Sequence, residues 1–294
     1  MFIKKDLRKI DEILNDPEDA RERMLLPKRS SEFRGSIKVL CKENNAKKIA
    51  NLRMLNLYEN DLTSLKGIGL LANTPIEDLN LGYNKLSSIP VEFGNLNTLK
   101  TLWLDDNQLD QFPICLCSIT GLEMLRLTGN QLRDIPQSIC ALEQLKTLGL
   151  DNNNLSEFPV GCLKLPKLEH LWLRQNKLRH IPDNVNEMVI LKTLSVSSNL
   201  LQTLPDTLID MHSLENLYAN GNQISEVNAA LCNLPNLKEL NLGNNVITHL
   251  PEEWTAVWGS IDVSQGLYMG VDMAVDGTAA STAACKVTVL GNPL

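Results

Sequence analysis

The chain has 294 residues, enough to bury a sizeable core, and its length alone would suggest two domains. Its formal net charge of −7 and its pI near 5.2 argue against a sequence-independent grip on nucleic acid or on an anionic membrane surface, so neither is an expected partner. A repeated sequence phrase overrides this estimate of two domains. It predicts a solenoid, which grows by stacking units and does not divide at the usual domain size.

Residues 1–49 are predicted to form an N-terminal helical cap and linker. Apolar residues alternate in steps of four and three over residues 2–15, as on one face of an amphipathic helix: Ile3, Leu7, Ile10 and Leu14. Asp16 and Pro17 suit the N-cap and first position of a second helix, which would end before Pro27. We expect these helices to cover the first repeat, since a solenoid end needs a cap. A docking helix for a partner is the alternative.

Residues 50–257 are predicted to form the solenoid itself. The phrase L-x-x-L-x-L-x-x-N-x-L recurs every 23 residues after one interval of 24, anchored by Leu55, Leu79, Leu102, Leu125, Leu148, Leu171, Leu194, Leu217 and Leu240. Leu102 and Leu104 alternate with Trp103, which is the period of a short strand with its leucines facing inward. The strands should stack side by side in parallel.

Each predicted strand leads into a turn and a short helix. An asparagine amide can pair the backbone groups of a buried turn, so we predict a structural ladder. Its members are Asn60, Asn84, Asn107, Asn130, Asn153, Asn176, Asn199, Asn222 and Asn245. An apolar-proline pair such as Phe112-Pro113 usually follows, and proline suits the first turn of a helix. Inward residues then step by three, as in Leu116 and Ile119, which fits one helical turn or a stretch of 3₁₀ helix.

Residues 258–294 are predicted to be degenerate or irregular repeats, because the register fails after Trp254. Ile261 and Val263 could begin one degenerate strand, and residues 270–284 are rich in alanine, glycine and serine. Residues 287–294 resume the strand phrase, with Asn292 at the asparagine position, and stop in mid-repeat. The sequence leaves open whether a partner covers this end, whether the region is poorly ordered, or whether the chain is a fragment or carries a gene-model error.

The full pattern, L-x-x-L-x-L-x-x-N-x-L-x-x-I-P-x-x-I-x-x-L-x-x-L, resembles the intracellular leucine-rich-repeat family. The 23-residue unit and the apolar-proline step are similar to the Ras-group repeats of the Ras suppressor protein, scribble and erbin. The resemblance implies an α/β solenoid: a right-handed horseshoe with a parallel concave sheet and short helices on the convex side. It also implies a non-catalytic adaptor, although the motif specifies a fold far better than a function.

The concave face is the predicted binding surface. Aromatic residues make up only 4% of the chain, yet several, including Tyr83, are predicted to fall on outward positions of this sheet. Exposed tryptophan, tyrosine and arginine dominate binding hot spots. The predicted protein-binding residues are Tyr58, Trp103, Asp105, Arg126, Asp151, His170, Trp172, Arg174 and Tyr218.

Neighbouring positions on this face suggest specific contacts. Because adjacent strands lie about 4.8 Å apart, Arg126 should stack beside Trp103, and Arg174 should pair with Asp151. Small residues at Gly149 and Ser195 should leave room beside the Trp172 indole. The alternative is that these side chains simply cover the sheet and pair with one another.

Catalytic and metal-binding motifs are not recognised in the sequence. The four histidines fall at different phases of the repeat, so no nucleophile and base are brought together: His170, His180, His212 and His249. There is no P-loop, zinc-protease helix or dinucleotide-binding glycine turn. Asp105, Asp106 and Asp151 could attract a cation, but a solvated acidic patch is favoured without a calcium loop. We therefore expect no catalytic residue, cofactor or metal.

The amino terminus and the cysteines predict a cytoplasmic, intracellular protein. The first residues are charged and lack the apolar core of a secretory signal, and no apolar stretch is long enough to span a bilayer. Seven cysteines without paired spacing are poor material for a disulfide framework. Cys115 and Cys117 form a Cys-x-Cys pair, but without a second pair free thiols are favoured over a zinc site.

These features together predict a protein–protein interaction scaffold or adaptor in intracellular signal transduction. Its partner would be another protein, with a small GTPase, a kinase or a phosphatase as candidates. One alternative is a regulatory or substrate-recognition subunit of a phosphatase or ubiquitin ligase. Another is an enzyme fragment whose catalytic part is missing or lies in the irregular C-terminal segment. The oligomeric state stays open.

Overall fold

The computed structural model describes residues 23–25, 37, 49–258, 268–269 and 285–294. The chain divides into two compact units, Met1–Gly149 and Leu150–Leu294, which we describe separately and call the first and second unit. The segment boundaries predicted at residues 49 and 257 were drawn from the sequence repeat, whereas the two units are defined by compactness. The predicted boundaries therefore stay predictions.

The first unit is a parallel sheet joined by short 3₁₀ helices. Its strands are β1 (Arg23–Leu25), β2 (Met54–Asn56), β3 (Asp78–Asn80), β4 (Thr101–Trp103), β5 (Met124–Arg126) and β6 (Thr147–Gly149), each paired with the next in chain order. The 3₁₀ helices are η1 (Ile68–Asn73), η2 (Val91–Asn95), η3 (Ile114–Ser118) and η4 (Gln137–Ala141). Repeat leucines lie opposite one another in register, as Leu79, Leu102 and Leu125 do, and all three are fully buried.

The second unit repeats this plan and adds a different end. Parallel strands β7 (His170–Trp172), β8 (Thr193–Ser195), β9 (Asn216–Tyr218) and β10 (Glu239–Asn241) follow one another. Strand β12 (Lys286–Thr288) continues the sheet in parallel beside β10, and β11 (Tyr268–Met269) pairs with β12 in the antiparallel direction. The helices are η5 (Val160–Lys164), η6 (Asp183–Glu187), η7 (Asp206–Asp210), η8 (Ala229–Asn233) and one α-helix, α1 (Glu252–Trp258).

These elements confirm the predicted fold class, a solenoid of parallel strands and short helices. The helices between repeats are 3₁₀, one of the two forms that the three-residue spacing allowed, and Leu116 and Ile119 are fully buried. Proline precedes helices η2 to η7 rather than occupying their first position, whereas Gly67 precedes η1 and Asn228 precedes η8. Pro113, for example, has extended backbone, and its carbonyl accepts the N–H of Leu116 at 2.9 Å.

The turn asparagines hold neighbouring repeats together, and all nine of those in residues 60–245 are between 2% and 8% exposed. In the first unit, Asn107 Nδ2 donates to the carbonyls of Leu81 at 3.0 Å and Leu104 at 3.1 Å, while its Oδ1 accepts the Leu86 N–H at 3.0 Å. In the second unit, Asn199 makes the equivalent three bonds. Each amide therefore pairs backbone groups of its own repeat and of the preceding one, groups that would otherwise be buried without partners.

A left-handed residue precedes each turn asparagine. The position is filled by glycine at Gly129 and Gly221, each with φ +70°, and at Gly291 with φ +83°. Elsewhere side chains occupy it, as at Tyr83 with φ 55° and Gln175 with φ 54°. A non-glycine residue is uncommon in this conformation, so the turn geometry is fixed by the surrounding hydrogen bonds.

The predicted second N-terminal helix is wrong at its end. Arg23–Leu25 forms strand β1, which pairs with Met54–Asn56 so that Met24 stands opposite Leu55. The outer edge of β2 presents unpaired backbone groups, and an added strand satisfies them where a helix could not. The predicted amphipathic helix over residues 2–15 and the start of the second helix lie outside the described residues.

The last ten residues form the strand and the turn of a further repeat. Val287 stands opposite Leu240, and Asn292 takes the turn position. Its Nδ2 donates to Leu242 O at 2.9 Å, and its Oδ1 accepts the Ile247 N–H at 3.1 Å. The predicted degenerate strand at residues 261–263 lies outside the described residues, and the place beside β10 belongs to β12.

Candidate functional site

The third residue of each strand from β2 to β10 lies on the face of the sheet opposite the leucine core. In the first unit this column contains Trp103 and Arg126, which are neighbours in register. In the second unit it contains Trp172, Ser195 and Tyr218 on three successive strands. Trp103, Trp172 and Tyr218 are all partly exposed, whereas the leucine in the middle of each of these strands is buried. The two units thus present their aromatic side chains at equivalent positions.

Asp105 in the first unit is committed to internal partners. Its Oδ2 lies 3.0 Å from Arg126 Nε, and its Oδ1 accepts the Thr128 N–H at 3.1 Å. Burial raises the pKa of this carboxyl above its ordinary value, although the Arg126 charge and the Thr128 N–H oppose the shift. Because Asp105 is only 9% exposed, its assignment to an open binding surface is a poor fit to its surroundings. The Arg126 guanidinium, expected to stack beside Trp103, forms an ion pair with this carboxylate.

Tyr58 and Tyr83 form an aromatic pair, with ring centroids 4.9 Å apart and planes tilted by 47°. Tyr83 lies in the turn after β3 rather than in the sheet, and it is 51% exposed. A hydrogen bond to Asp106, reinforced by the charge of that carboxylate, raises the pKa of the Tyr83 hydroxyl. The two tyrosines therefore form a separate exposed patch in the first unit.

The second unit contains an open groove of about 720 Å³ over the outward face of its sheet. We call it the groove. It is bounded by Asp151, His170, Trp172, Arg174, Ser195 and Tyr218, and hydroxyl and amide side chains from β8, β9, β10 and the turns after them complete its wall. Five of the nine predicted binding residues line it, and Ser195 lies on the strand between Trp172 and Tyr218.

Asp151 and Arg174 meet in a different way from the predicted ion pair. The Asp151 Oδ1 accepts the backbone N–H of Arg174 at 2.7 Å, just as Asp105 accepts that of Thr128. Both aspartates thus satisfy a backbone donor of the next repeat. The Arg174 side chain is exposed, and its guanidinium has no hydrogen-bond or ion-pair partner in the described part of the chain.

Tyr218 binds Glu239, which in turn pairs with Lys286, and neither of these charged residues was predicted from the sequence. Its hydroxyl donates to Glu239 Oε2 at 2.7 Å, and Lys286 Nζ lies 3.1 Å from Glu239 Oε1. Burial, together with Glu239, raises the pKa of Tyr218 to about 12. Desolvation raises the pKa of Glu239, but the hydrogen bonds from Tyr218 and Lys286 outweigh it and the net shift is downward. Lys286 comes from the last repeat, so the C-terminal segment supports a groove residue.

A second missed feature is a row of alternating charges on the residue that precedes each strand. In the first unit the row reads Arg53, Glu77, Lys100, Glu123 and Lys146, and in the second Glu169, Lys192, Glu215 and Lys238. Ion pairs of 2.7 or 2.8 Å join four pairs of neighbours in this row, for example Glu123 with Lys146 and Glu215 with Lys238. The sequence contains the signal, since the signs alternate at the repeat spacing.

The remaining candidate groups stay apart. Cys115 lies 3.6 Å from the Pro90 carbonyl and Cys117 lies 3.4 Å from Ser138 Oγ, and burial raises the pKa of both thiols. Among the described residues no group of three or more histidine, cysteine or acidic side chains could hold a metal ion. Within the same residues, no helix has the length and apolar character needed to cross a membrane.

Two family models match the chain. One, described as a leucine rich repeat, matches residues 50–109 and 76–132, and the other, described as a leucine-rich repeat region, matches residues 133–255. Among curated proteins, osteomodulin of Rattus norvegicus is 32% identical over 69 residues, which is 22% of this chain and 16% of osteomodulin.

Solved structures give longer matches. A leucine-rich-repeat protein of Leptospira interrogans is 32% identical with a TM-score of 0.65, over 73% of this chain and 60% of that one. An internalin (InlF) of Listeria monocytogenes is 25% identical with a TM-score of 0.64, over 74% and 62%. The plant peptide hormone receptor RGFR1, solved in complex with RGF2, is 22% identical with a TM-score of 0.59, over 73% and 40%, a likeness of fold alone.

The chain therefore spans less than two thirds of the length of each of these proteins. Leucine-rich repeats generally mediate protein–protein interaction, and their stacked units provide extended binding surfaces. The two family models together cover residues 50–255 without a gap, a range that includes the nine asparagines of the predicted ladder. By this match and by its fold, the chain belongs to the leucine-rich-repeat family.

Proposed function

We propose that the chain is a non-enzymatic scaffold or adaptor that binds another protein in the groove of its second unit. The observation that carries the proposal is the placement of Trp172 and Tyr218 around Ser195 in an open groove of about 720 Å³. Large aromatic side chains held on a rigid sheet supply contact area at little cost in conformational entropy, and they are typical binding hot spots. Tyr218 is further fixed by its bond to Glu239.

The test compares two tryptophans at the same strand position. Trp172→Ala should reduce capture of the partner from native cell extract by at least about tenfold, as expected for a hot spot. Trp103→Ala, in the first unit, is the matched control and should keep full capture. Because both side chains are partly exposed, both variants should retain the circular-dichroism spectrum and melting temperature of the parent protein.

Captured proteins are identified by quantitative mass spectrometry against the parent protein. Loss of capture with Trp103→Ala and retention with Trp172→Ala would move the site to the first unit. Retention in both variants would contradict the use of the sheet face altogether.

The finer proposal is a role in intracellular signal transduction, with a small GTPase, a kinase or a phosphatase as partner. It rests on the sequence similarity to Ras-group repeats. A cytoplasmic location is part of the same proposal, and the six described cysteines, all free thiols, suit a reducing compartment. Cell fractionation tests the location, and direct binding assays with purified candidates of the three classes test the partner.

A further inference from the structure

We infer that the groove takes an extended peptide segment that carries an apolar or aromatic anchor and an acidic residue two positions away. This inference rests on the proposed function and adds the chemistry of the partner. Three features of the groove support it: its available charges, the spacing of its aromatic side chains, and the hydrogen bonds among its neutral polar groups.

The available charge in the groove is positive. The Asp151 carboxylate already accepts the Arg174 N–H at 2.7 Å. Glu239, next to the groove, already binds the Tyr218 hydroxyl and Lys286. The Arg174 guanidinium, by contrast, is exposed and has no partner in the described part of the chain. Guanidinium groups bind carboxylates through two parallel hydrogen bonds, so an acidic side chain of the partner fits this position best.

The spacing of the aromatic side chains provides a slot for the anchor. Trp172 and Tyr218 lie on strands that flank β8, so their backbones are about 9.6 Å apart at a strand spacing of about 4.8 Å. Ser195 between them has a small side chain. One aliphatic or aromatic side chain can therefore enter above Ser195 and contact the aromatic groups on either side.

The distance from this slot to Arg174 sets the spacing within the peptide. Arg174 follows Trp172, on the strand next to Ser195, by two residues, so it lies about 6.6 Å further along the strand direction than the slot and about 4.8 Å to one side. In an extended peptide that runs along the strands, side chains two positions apart also project from the same face, about 6.6 Å apart. A peptide with its anchor over Ser195 therefore presents the side chain two positions away toward Arg174.

The neutral polar groups around the groove favour a peptide over a carbohydrate. Ser197 Oγ lies 2.6 Å from Asn220 Oδ1, and Asn216 Nδ2 donates to Thr193 Oγ1 at 3.3 Å. These hydroxyl and amide groups thus bind one another. A sugar, which requires many hydrogen bonds to its own hydroxyls, would have to displace them.

The experiment uses two synthetic nine-residue probes with glycine-serine flanks. One carries phenylalanine and aspartate two positions apart, and the other carries lysine in place of the aspartate. Binding to the full chain is measured by the change in tryptophan fluorescence. The aspartate peptide should bind at least about tenfold more tightly than the lysine peptide. Equal affinities would overturn the inference.

Two variants test the residues assigned to each contact. Arg174→Glu should reverse the preference between the two peptides, because the charge at that position changes sign. Ser195→Phe should abolish binding of both, because it fills the slot. Asn80→Phe, at the same strand position in the first unit, is the matched control and should bind like the parent protein. Circular dichroism establishes that each variant is folded.

The outcomes separate this inference from the proposed function. Loss of protein capture with Trp172→Ala, together with unchanged peptide preference in Arg174→Glu, would leave the groove as a protein site and overturn the acidic motif. Binding to an oligosaccharide array but to neither peptide would overturn both the motif and the choice of a peptide. A preference for a phosphoserine peptide over the aspartate peptide would replace the carboxylate by a phosphate and overturn the motif as stated.

Discussion

The two units use the same pair of residue types on their sheets and reach opposite results. In each, an aspartate just after a strand accepts a backbone N–H from the next repeat, at Thr128 for Asp105 and at Arg174 for Asp151. In the first unit the arginine lies within the strand, at Arg126, and its guanidinium reaches the aspartate. In the second unit the arginine is the residue whose N–H is already bound, and its guanidinium extends into solvent. A shift of two residues along the strand therefore decides whether the positive charge is available to a partner.

Substitution of the turn asparagines should have the largest effect on the free energy of unfolding. It tests whether the turns of the two units are equally stable. Asn107→Ala in the first unit and Asn199→Ala in the second each remove four hydrogen bonds and leave buried backbone groups without partners. Each should lower the free energy of unfolding by about 3 kcal/mol. Urea denaturation measures both, with the exposed neighbour replaced in Gln108→Ala as the control. A loss under about 1 kcal/mol in one unit only would show that its turns are held by other contacts.

The turn glycines give the next largest effect and also differ between the units. Gly129→Ala should cost about 2 kcal/mol, because φ is +70° and the new Cβ would collide with the Asp106 carboxylate. Gly221→Ala has the same φ, but its Cβ would lie 3.2 Å from Ser198 Oγ, so about 1 kcal/mol is expected. Thermal and urea unfolding measure the two losses. If the two losses are equal, the Asp106 side chain can move aside.

A smaller effect is the pH dependence of stability that the Asp105 and Glu239 carboxylates produce, one in each unit. Burial raises the pKa of Asp105 above its ordinary 3.8, so the folded first unit favours the protonated form. The stability of the parent protein relative to Asp105→Asn should therefore increase as the pH falls through the folded pKa. Bonds from Tyr218 and Lys286 lower the net pKa of Glu239 below its ordinary 4.5, despite desolvation. Relative to Glu239→Gln, the parent protein should be favoured above this ordinary pKa and should lose that advantage in acid.

Urea unfolding of the three proteins between about pH 3 and pH 7 measures these two differences. They should change with pH in opposite directions. If both moved in the same direction, the assignment of either the buried aspartate or the paired glutamate would be wrong.

Much of the fold is predictable because the residues that determine it recur at a fixed spacing in the sequence. The leucines and asparagines that recur every 23 residues placed the strands β2–β10 and their turns. Strand β1 is not predictable in this way, because Met24 stands at the anchor-leucine position of the phrase and Arg29 at its asparagine position. The last strand lies off the 23-residue period, since Lys286 and Glu239 are paired although they are 47 residues apart. Its phrase is still recognisable over residues 287–294, but the period does not predict which strand it pairs with.

The candidate site is predictable in position but not in the state of its side chains. The strand period placed Trp172, Arg174 and Tyr218 on one face, where the groove lies. It does not distinguish Asp105 from Asp151, since both follow a strand by the same number of residues. Asp105 is buried and its carboxylate binds the Arg126 guanidinium, whereas Asp151, with Trp172 at the equivalent strand position of the next repeat, is half-buried. A single sequence position gives no information on that pairing.

The alternating charges that precede the strands should have the smallest effect, and they test whether the units differ in anything except the sheet face. Glu123 with Lys146 and Glu215 with Lys238 are equivalent pairs of 2.7 Å, and both are well exposed to solvent. A double-mutant cycle with glutamine and methionine replacements should give a coupling of roughly 0.5 kcal/mol for each pair. The coupling should fall toward zero in 1 M salt, where the screening length is about 3 Å. A coupling that survives high salt in one unit would mean that its pair is shielded from solvent, which would make this edge, and not only the groove, a point of difference between the units.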